Sequence, residues 1–358
     1  MLRPLRRAAF KSLRAAGAFR LVAASGWRRQ RLLVLCYHGI SRFDEHQWRP
    51  LSYMQVQLFR RRLEILKRGR YNVLPLGKAI ERLQNADLPP RAVALTFDDG
   101  GYDFYTSAFP VIRKFEFPVT VYQTTYHSEF QRPIFNLACS YMLWKRRGDF
   151  VKIGREFGLD ERLDLTTESS RAKIVRALVL KAESENLTGW QKDKLAAGLA
   201  RQLDVSYEEI IVRRMFHLMN GSEISELAAA GVDFQLHTHR HRTPIDENQF
   251  RREIEDNRRS LRDMGPRAIH FCYPSGIYRK EFLPWLRAEE IVSATTCDAG
   301  IASRQSQALL LPRLVDTSAA SEIEFEARLA GLPYLLRGTR ASRQVVPAAA
   351  GRASQVEH

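Results

Sequence analysis

Cysteine is scarce in this chain: Cys36, Cys139, Cys272 and Cys297 stand far apart, with no C-x-x-C pair among them. That spacing argues against a disulfide scaffold and against a thiolate zinc site. Long apolar runs are missing too, and nothing approaches the roughly 20 uninterrupted apolar residues of a transmembrane helix. No G-x-G-x-x-G or G-x-x-x-x-G-K-[ST] follows an expected strand, so the phosphate cradles of nucleotide-binding folds are absent. Acidic residues are absent from the first 31 positions.

What is present is a large core and an uneven charge. Hydrophobic residues make up 45% of the 358 positions, with 19 Phe, 12 Tyr and 5 Trp, which excludes wholesale disorder. The net charge of +16 invites a nucleic-acid reading until it is located. Nine basic residues precede residue 32 and contribute +9; the tail from Arg337 contributes +3, which leaves only +4 between them. Basicity belongs to the ends, which argues against a nucleic-acid-binding fold.

Residues 1–31 mix Arg with Leu, Ala and Phe at helical spacing. Arg20 interrupts the apolar stretch that a secretory signal peptide would need. An Arg-rich transit peptide shares the composition, and so does a solvated helix packed on its own domain. A basic amphipathic arm resting on anionic lipid fits best, which gives a cytoplasmic, membrane-peripheral placement as the expectation. The tail, residues 337–358, has no periodicity and reads as disordered.

Between the ends, short β-branched runs alternate with helical patterns. Strands are expected at Leu32–His38, Tyr71–Leu76, Ala92–Asp99, Pro118–Thr125, Val232–Thr238, Ile269–Pro274, Ile291–Thr296 and Leu309–Val315. Helical spacing falls between them, as in Met54–Arg68, Tyr105–Phe115 and Asn248–Met264. The alternation implies parallel pairing. Seven or eight such units in series predict an α/β protein, a closed (β/α) barrel spanning residues 32–336. The rhythm breaks from about Ser128 to Met219, which is charged, helical and without a good strand. This segment reads as a helical insertion over one rim, with a small independent helical domain as the other reading.

Polar residues at the strand ends of such a barrel are candidates for chemistry. The Ala92–Leu95 run leads into Thr96-Phe97-Asp98-Asp99-Gly100. Two adjacent carboxylates there repel each other and resist desolvation unless a cation or donors compensate. Successive strand residues point different ways, so one can bind metal while the other serves as a base. An isolated D-D-G would be a simple turn. A second strand, however, runs into His237-Thr238-His239-Arg240-His241. His237 and His241, with one carboxylate, make a two-histidine, one-carboxylate set that leaves positions open for water and substrate. His239 lies between them and points elsewhere.

TFDDG (Thr96–Gly100) and HTHRH (His237–His241) resemble the first and second motifs of the polysaccharide deacetylases, carbohydrate esterase family four, with its NodB-like domain. FPVIRKFEFPVTVY (Phe109–Tyr122) and the run Met219–His241 resemble the sequences that flank those motifs. The resemblance covers roughly Leu32 to Leu332 apart from the insertion. FCYPSG (Phe271–Gly276) resembles the third motif, R-x-P-[FY], with Cys272 at the Arg position and Ser275 at the aromatic one. LVLCYHGI (Leu33–Ile40) resembles the opening strand of the circularly permuted branch that includes poly-β-1,6-N-acetylglucosamine deacetylases.

The resemblance implies a distorted (β/α) barrel, usually of seven strands, and a metal-dependent de-N-acetylase with one divalent ion, usually zinc. Asp99, His237 and His241 would be its ligands, Asp98 the general base and His38 the general acid. Tyr273, Pro274 and Ser275 would support the substrate or transition state, an amide near Ser275 facing the oxyanion. Arg313 is the candidate to replace the missing third-motif Arg, or else a surface residue. The substrate would be an N-acetylated amino sugar in a glycan or a lipid-linked precursor, with Trp144, Trp190 and Trp285 as stacking faces or core. A non-catalytic carbohydrate-binding barrel and a hydrolase of another C–N bond are the alternatives.

Overall fold

The structure, a computed structural model, describes residues 2–154, 157–158, 162–262, 265 and 267–336. Seven strands carry the architecture: β1 Arg31–Tyr37, β2 Ala92–Asp99, β3 Thr120–Gln123, β4 Asp233–Leu236, β5 His270–Cys272, β6 Ser293–Ala299 and β7 Leu311–Val315. Each pairs in parallel with the next, and β7 returns to β1, so the ring closes. It closes unevenly: β4 and β5 share one register pair, and the β6–β7 register shifts between Thr295 and Ala299. The expected distorted barrel is therefore present with seven strands.

The eighth expected strand, Tyr71–Leu76, shrinks to Asn72–Val73 at the edge of β2. Pro75 has no amide to donate to a ladder, and a helix, Leu76–Gln84, starts directly after it. Ala302–Ser303 adds a short antiparallel edge to β1.

Parallel strands covered on both faces read as continuous apolar runs, and β1 is buried throughout Leu32–Tyr37. Alternation then sorts the side chains. Leu33, Leu35 and Tyr37 join the cluster beneath the outer helices. Leu32 and Val34 turn the other way and pack with Ala92, Ala94, Tyr122, Cys272 and Leu311.

Three outer helices matter for the site. Val56–Arg68 follows β1; Gly221–Ala229 precedes β4 and opens with a reciprocal Asn220–Glu223 cap. Glu247–Ser260 follows β4 and is capped by the Asp246 carboxylate on the Gln249 amide.

The long β3–β4 connection is mostly helical, as expected: Phe135–Lys145, Glu168–Ser184, Gly189–Gln202 and Tyr207–Val212. They bury Met142, Leu143, Leu178, Leu199 and Leu203 among themselves. The expectation of no strand fails here. Phe150–Lys152 and Arg162–Asp164 form a small antiparallel pair. Runs of three residues are too short to register as a strand pattern, and only cross-strand pairing defines them.

The N-terminal arm forms three helices, Leu2–Ala15, Ala18–Ala24 and Gly26–Arg29. Gly17, at φ +76°, breaks the first from the second. The expected disordered tail, 337–358, lies outside the described residues.

Candidate active site

The polar residues singled out in the sequence gather at the C-terminal ends of β1, β2, β4, β5 and β7. Asp98 and Asp99 close β2, and alternation sends them apart. Asp98 is buried in the barrel mouth, while Asp99 is half-buried and faces the loop after β4. His237 Nε2 and His241 Nε2 each lie 3.2 Å from Asp99 Oδ1. The two imidazoles are 4.7 Å apart between centroids, edge to face. One carboxylate oxygen and two ring nitrogens thus converge, all within 4.8 Å of one another.

This convergence depends on unusual backbone. Asp99, Thr238, His241 and Ser275 all have positive φ, at 72°, 61°, 52° and 55°. None is glycine, so each position stores strain that the surrounding packing must hold. Hydrogen bonds do part of that holding. The His237 amide donates to Asn257 Oδ1 at 2.9 Å, and Asn257 Nδ2 reaches the Gln123 carbonyl and Thr125. His237 Nδ1 lies 2.8 Å from the Cys272 carbonyl, which fixes the tautomer that leaves Nε2 free as a ligand atom. His239 points away, its Nδ1 against Thr125 Oγ1 at 2.8 Å.

Asp98 belongs to a different network. Arg313, fully buried on β7, donates from Nη1 to Oδ1 and from Nη2 to Oδ2, both at 2.7 Å. Its Nε donates to the Thr296 carbonyl. Burial alone would raise the Asp98 carboxyl, but the Arg313 charge and hydrogen bonds outweigh it and hold it well below the usual range. Burial would likewise weaken the guanidinium, and Asp98 more than compensates. Arg313 is not a surface residue. Its Nη2 also lies 3.1 Å from the thiol of Cys272, the residue at the third-motif position.

His38, just beyond β1, brings Nε2 to 3.8 Å from Asp98 Oδ2. A gap that narrow leaves no room for a substrate between them, so any reacting group must sit above both. Ser275 lines the same cleft, whereas Pro274 is buried. The Tyr273 side chain also misses the cleft, donating its hydroxyl to the Leu309 carbonyl inside the core.

The cleft has a volume of about 390 Å³, within the usual range for small-molecule sites. Ile134, Asn136, Phe216 and His217, from the long β3–β4 connection, form one wall. Arg49, Ser52 and Tyr53 form another. Trp144, Trp190 and Trp285 do not line it: Trp144 is buried, Trp285 packs on Phe250 and Phe282, and Trp190 carries Arg132 on its face.

Sequence reasoning missed Asp103, which lines the cleft and accepts the Ile40 amide at 2.5 Å. Burial pushes its carboxyl up to about 7. Its only signal was a carboxylate three residues past the first motif.

The donor set suits a divalent ion such as zinc: one carboxylate oxygen and two imidazole nitrogens, one ring already braced from behind. Two further clusters, Cys36–His38–Asp98 and Asp98–His237–Cys272, suit it poorly. Asp98 has both oxygens bonded to a guanidinium, whose charge repels a cation. Burial also pushes the Cys36 thiol up and keeps it protonated.

A parallel seven-stranded barrel thus carries at its strand ends a donor set suited to a metal, beside a second carboxylate paired with a guanidinium. Residues 202–291, which contain the second motif, match the polysaccharide deacetylase family model. Over 99 residues the chain is 27% identical to the poly-beta-1,6-N-acetyl-D-glucosamine N-deacetylase of Escherichia coli (strain K12). That stretch is 27% of this chain but only 14% of the relative, and the Escherichia coli O157:H7 protein matches equally.

Solved structures agree in fold. The Streptococcus pyogenes deacetylase PplD, solved with acetate, superposes with TM-score 0.55 at 19% identity, covering 82% of this chain and 96% of that one. IcaB from Ammonifex degensii gives 0.52 at 17%, covering 84% and 97%. The chain thus resembles the polysaccharide deacetylases over residues 202–291 and shares the fold of the solved deacetylases.

Proposed function

We propose that this protein is a metal-dependent hydrolase that removes N-acetyl groups from amino sugars in a glycan or a lipid-linked glycan precursor. The observation that carries this reading is the Asp98–Arg313 pair beside the Asp99–His237–His241 set. A binding-only barrel has little use for an ionised carboxylate fixed next to a metal position. The curated relatives' names support the acetylated amino sugar as substrate. The arm of residues 1–31 belongs to the same reading as a contact with an anionic membrane surface.

Asp99, His237 and His241 would hold a divalent ion, zinc by donor chemistry. Bound there, it would supply Lewis acidity to the acetamide carbonyl and lower the pKa of water toward about 7. Asp98 takes the proton from the attacking water. Arg313 keeps that carboxylate ionised and aimed, at the cost of making it a weak base, so the water must already be acidified. The Ser275 amide faces the developing oxyanion. His38 protonates the departing amine, and its closeness to Asp98 puts acid and base on one rim.

The test is acetate release from N-acetylglucosamine oligomers by the metal-loaded protein, beside Asp98→Asn. The variant should retain metal and lose on the order of a hundredfold in turnover. No hydrolysis by the parent across acetylated sugars would leave the binding barrel as the reading. Hydrolysis of small N-acyl compounds alone would move the substrate class.

A further inference from the structure

The first helix of the arm carries its polarity the opposite way from an ordinary surface helix. At about 100° per residue, Leu5, Ala9 and Leu13 form one stripe of Leu2–Ala15, and Arg6, Phe10 and Arg14 form the stripe beside it. A surface helix normally turns its apolar stripe to the core. Here the Arg6–Phe10–Arg14 stripe docks instead. Arg6 pairs with Glu324, Arg14 Nη1 lies 3.0 Å from Glu326 Oε2, and Phe10 packs edge to face on Phe19. Phe19 and Ala23 then bury against Ile323, Ala327 and Ala330 of the Glu322–Ala330 helix.

The apolar stripe is left outside. Leu5 is 68% exposed and Leu13 36%, with Ala8 and Ala9 also exposed. On the second helix Leu21 is 73% exposed. Lys11, Arg20 and Arg29 are exposed as well, and none pairs with a carboxylate among the described residues.

We infer that this outward face rests on an anionic lipid surface, with the barrel mouth turned away from the bilayer. Leucines that insert below the headgroups, flanked by cations that stay at them, fit lipid chemistry. A nucleic acid would take the cations but leave Leu5, Leu13 and Leu21 in water. A second copy would bring one acid-free arm against another, at a cost in repulsion.

The orientation follows from Arg28. This buried residue donates to the carbonyls of Arg31 and Ala92, the first residues of β1 and β2, and to that of Leu329. The last helix of the arm, Gly26–Arg29, is therefore latched at the strand-start end. Asp98 and Asp99 close the other end of β2, roughly 20 Å further along at ~3.3 Å per residue. A docked protein presents its cleft to the aqueous phase. Resting on the deacetylase reading, the substrate is a glycan segment that extends into water, rather than a sugar held at the lipid interface.

The test uses the full chain and needs no turnover. It should sediment with vesicles of phosphatidylcholine mixed with phosphatidylglycerol, and much less with phosphatidylcholine alone. The double variant Leu5→Glu, Leu13→Glu alters only exposed positions and should keep its circular dichroism. Its binding to the mixed vesicles should fall on the order of tenfold or more. Equal binding by parent and variant overturns the lipid contact. So does a dimer in light scattering that the variant dissolves, which would assign the face to a second copy.

Cys297, the one exposed cysteine, lines the cleft and reports orientation. Its alkylation rate should be unchanged on vesicles, and protection would overturn the outward-facing mouth. A chain that binds vesicles yet releases no acetate leaves this inference standing and sinks the deacetylase reading.

Discussion

Arg313 and Asp98, 215 residues apart, meet through two parallel hydrogen bonds of 2.7 Å inside the barrel mouth. The pair is fully desolvated, and each charge is tolerable only because the other is present.

Breaking it should therefore cost more than a surface ion pair. Arg313→Met is expected to lower stability by about 3–5 kcal/mol, because it leaves a buried carboxylate without its counter-charge. It also reverses the balance on Asp98. With the guanidinium gone, burial prevails and the carboxyl rises, so the acid limb of the rate profile should move to higher pH. Arg313→Lys keeps a charge but not the fork, and should fall between the two. Denaturant melts together with kcat/KM against pH measure both effects; an unmoved acid limb would detach Arg313 from the base.

The ion should follow the histidines. His237→Ala removes one donor and its side-chain link to the Cys272 carbonyl, while the backbone bond to Asn257 stays; His241→Ala removes another donor. Both proteins, if folded by circular dichroism, should lose bound metal by elemental analysis and lose hydrolysis with it. Full metal stoichiometry in either variant would contradict the assigned ligand set.

His38 is separable from the metal because its Nε2 faces Asp98. His38→Gln should depress kcat and leave metal content unchanged. Normal turnover would reduce His38 to a strand-end residue; loss of metal would make it a ligand.

Acid should release the arm. Burial alone would raise the Glu324 carboxyl, but Ser321 and Arg6 outweigh it and bring it from 4.5 down to about 2. A depressed carboxyl contributes stability above its unfolded value and loses it as protons bind. Arm docking should be intact above pH 5 and weaken progressively between about 4.5 and 2. Hydrogen exchange of the Leu2–Ala15 amides across that range measures it, and Glu324→Gln should show the weakened arm already at neutral pH.

The barrel and its metal set were legible in the sequence for local reasons. Buried parallel strands need unbroken apolar runs, and Ala92–Leu95 and Val232–Leu236 have them. The ligands follow those runs directly, in TFDDG and HTHRH, so spacing alone brought Asp98, Asp99, His237 and His241 into view. The resemblance to the deacetylases rests on those same short stretches.

Elsewhere locality failed. Tyr273 stands inside the third motif, yet alternation turns its side chain into the core. Asp103 lines the cleft through a loop contact with Ile40 that no periodicity marks.

The sequence by itself determined the strand and helix rhythm, the two ligand-bearing motifs and the location of charge at the ends, because each is written in residues close together. Only the tertiary structure decided that Arg313 braces Asp98, since closing the ring brings β7 beside β1 and aims the guanidinium into the mouth. It also decided which face of the arm looks outward. Helical periodicity fixes two stripes but not which one docks; the carboxylates of Glu324 and Glu326 on a distant helix made that choice by drawing the arginine stripe inward.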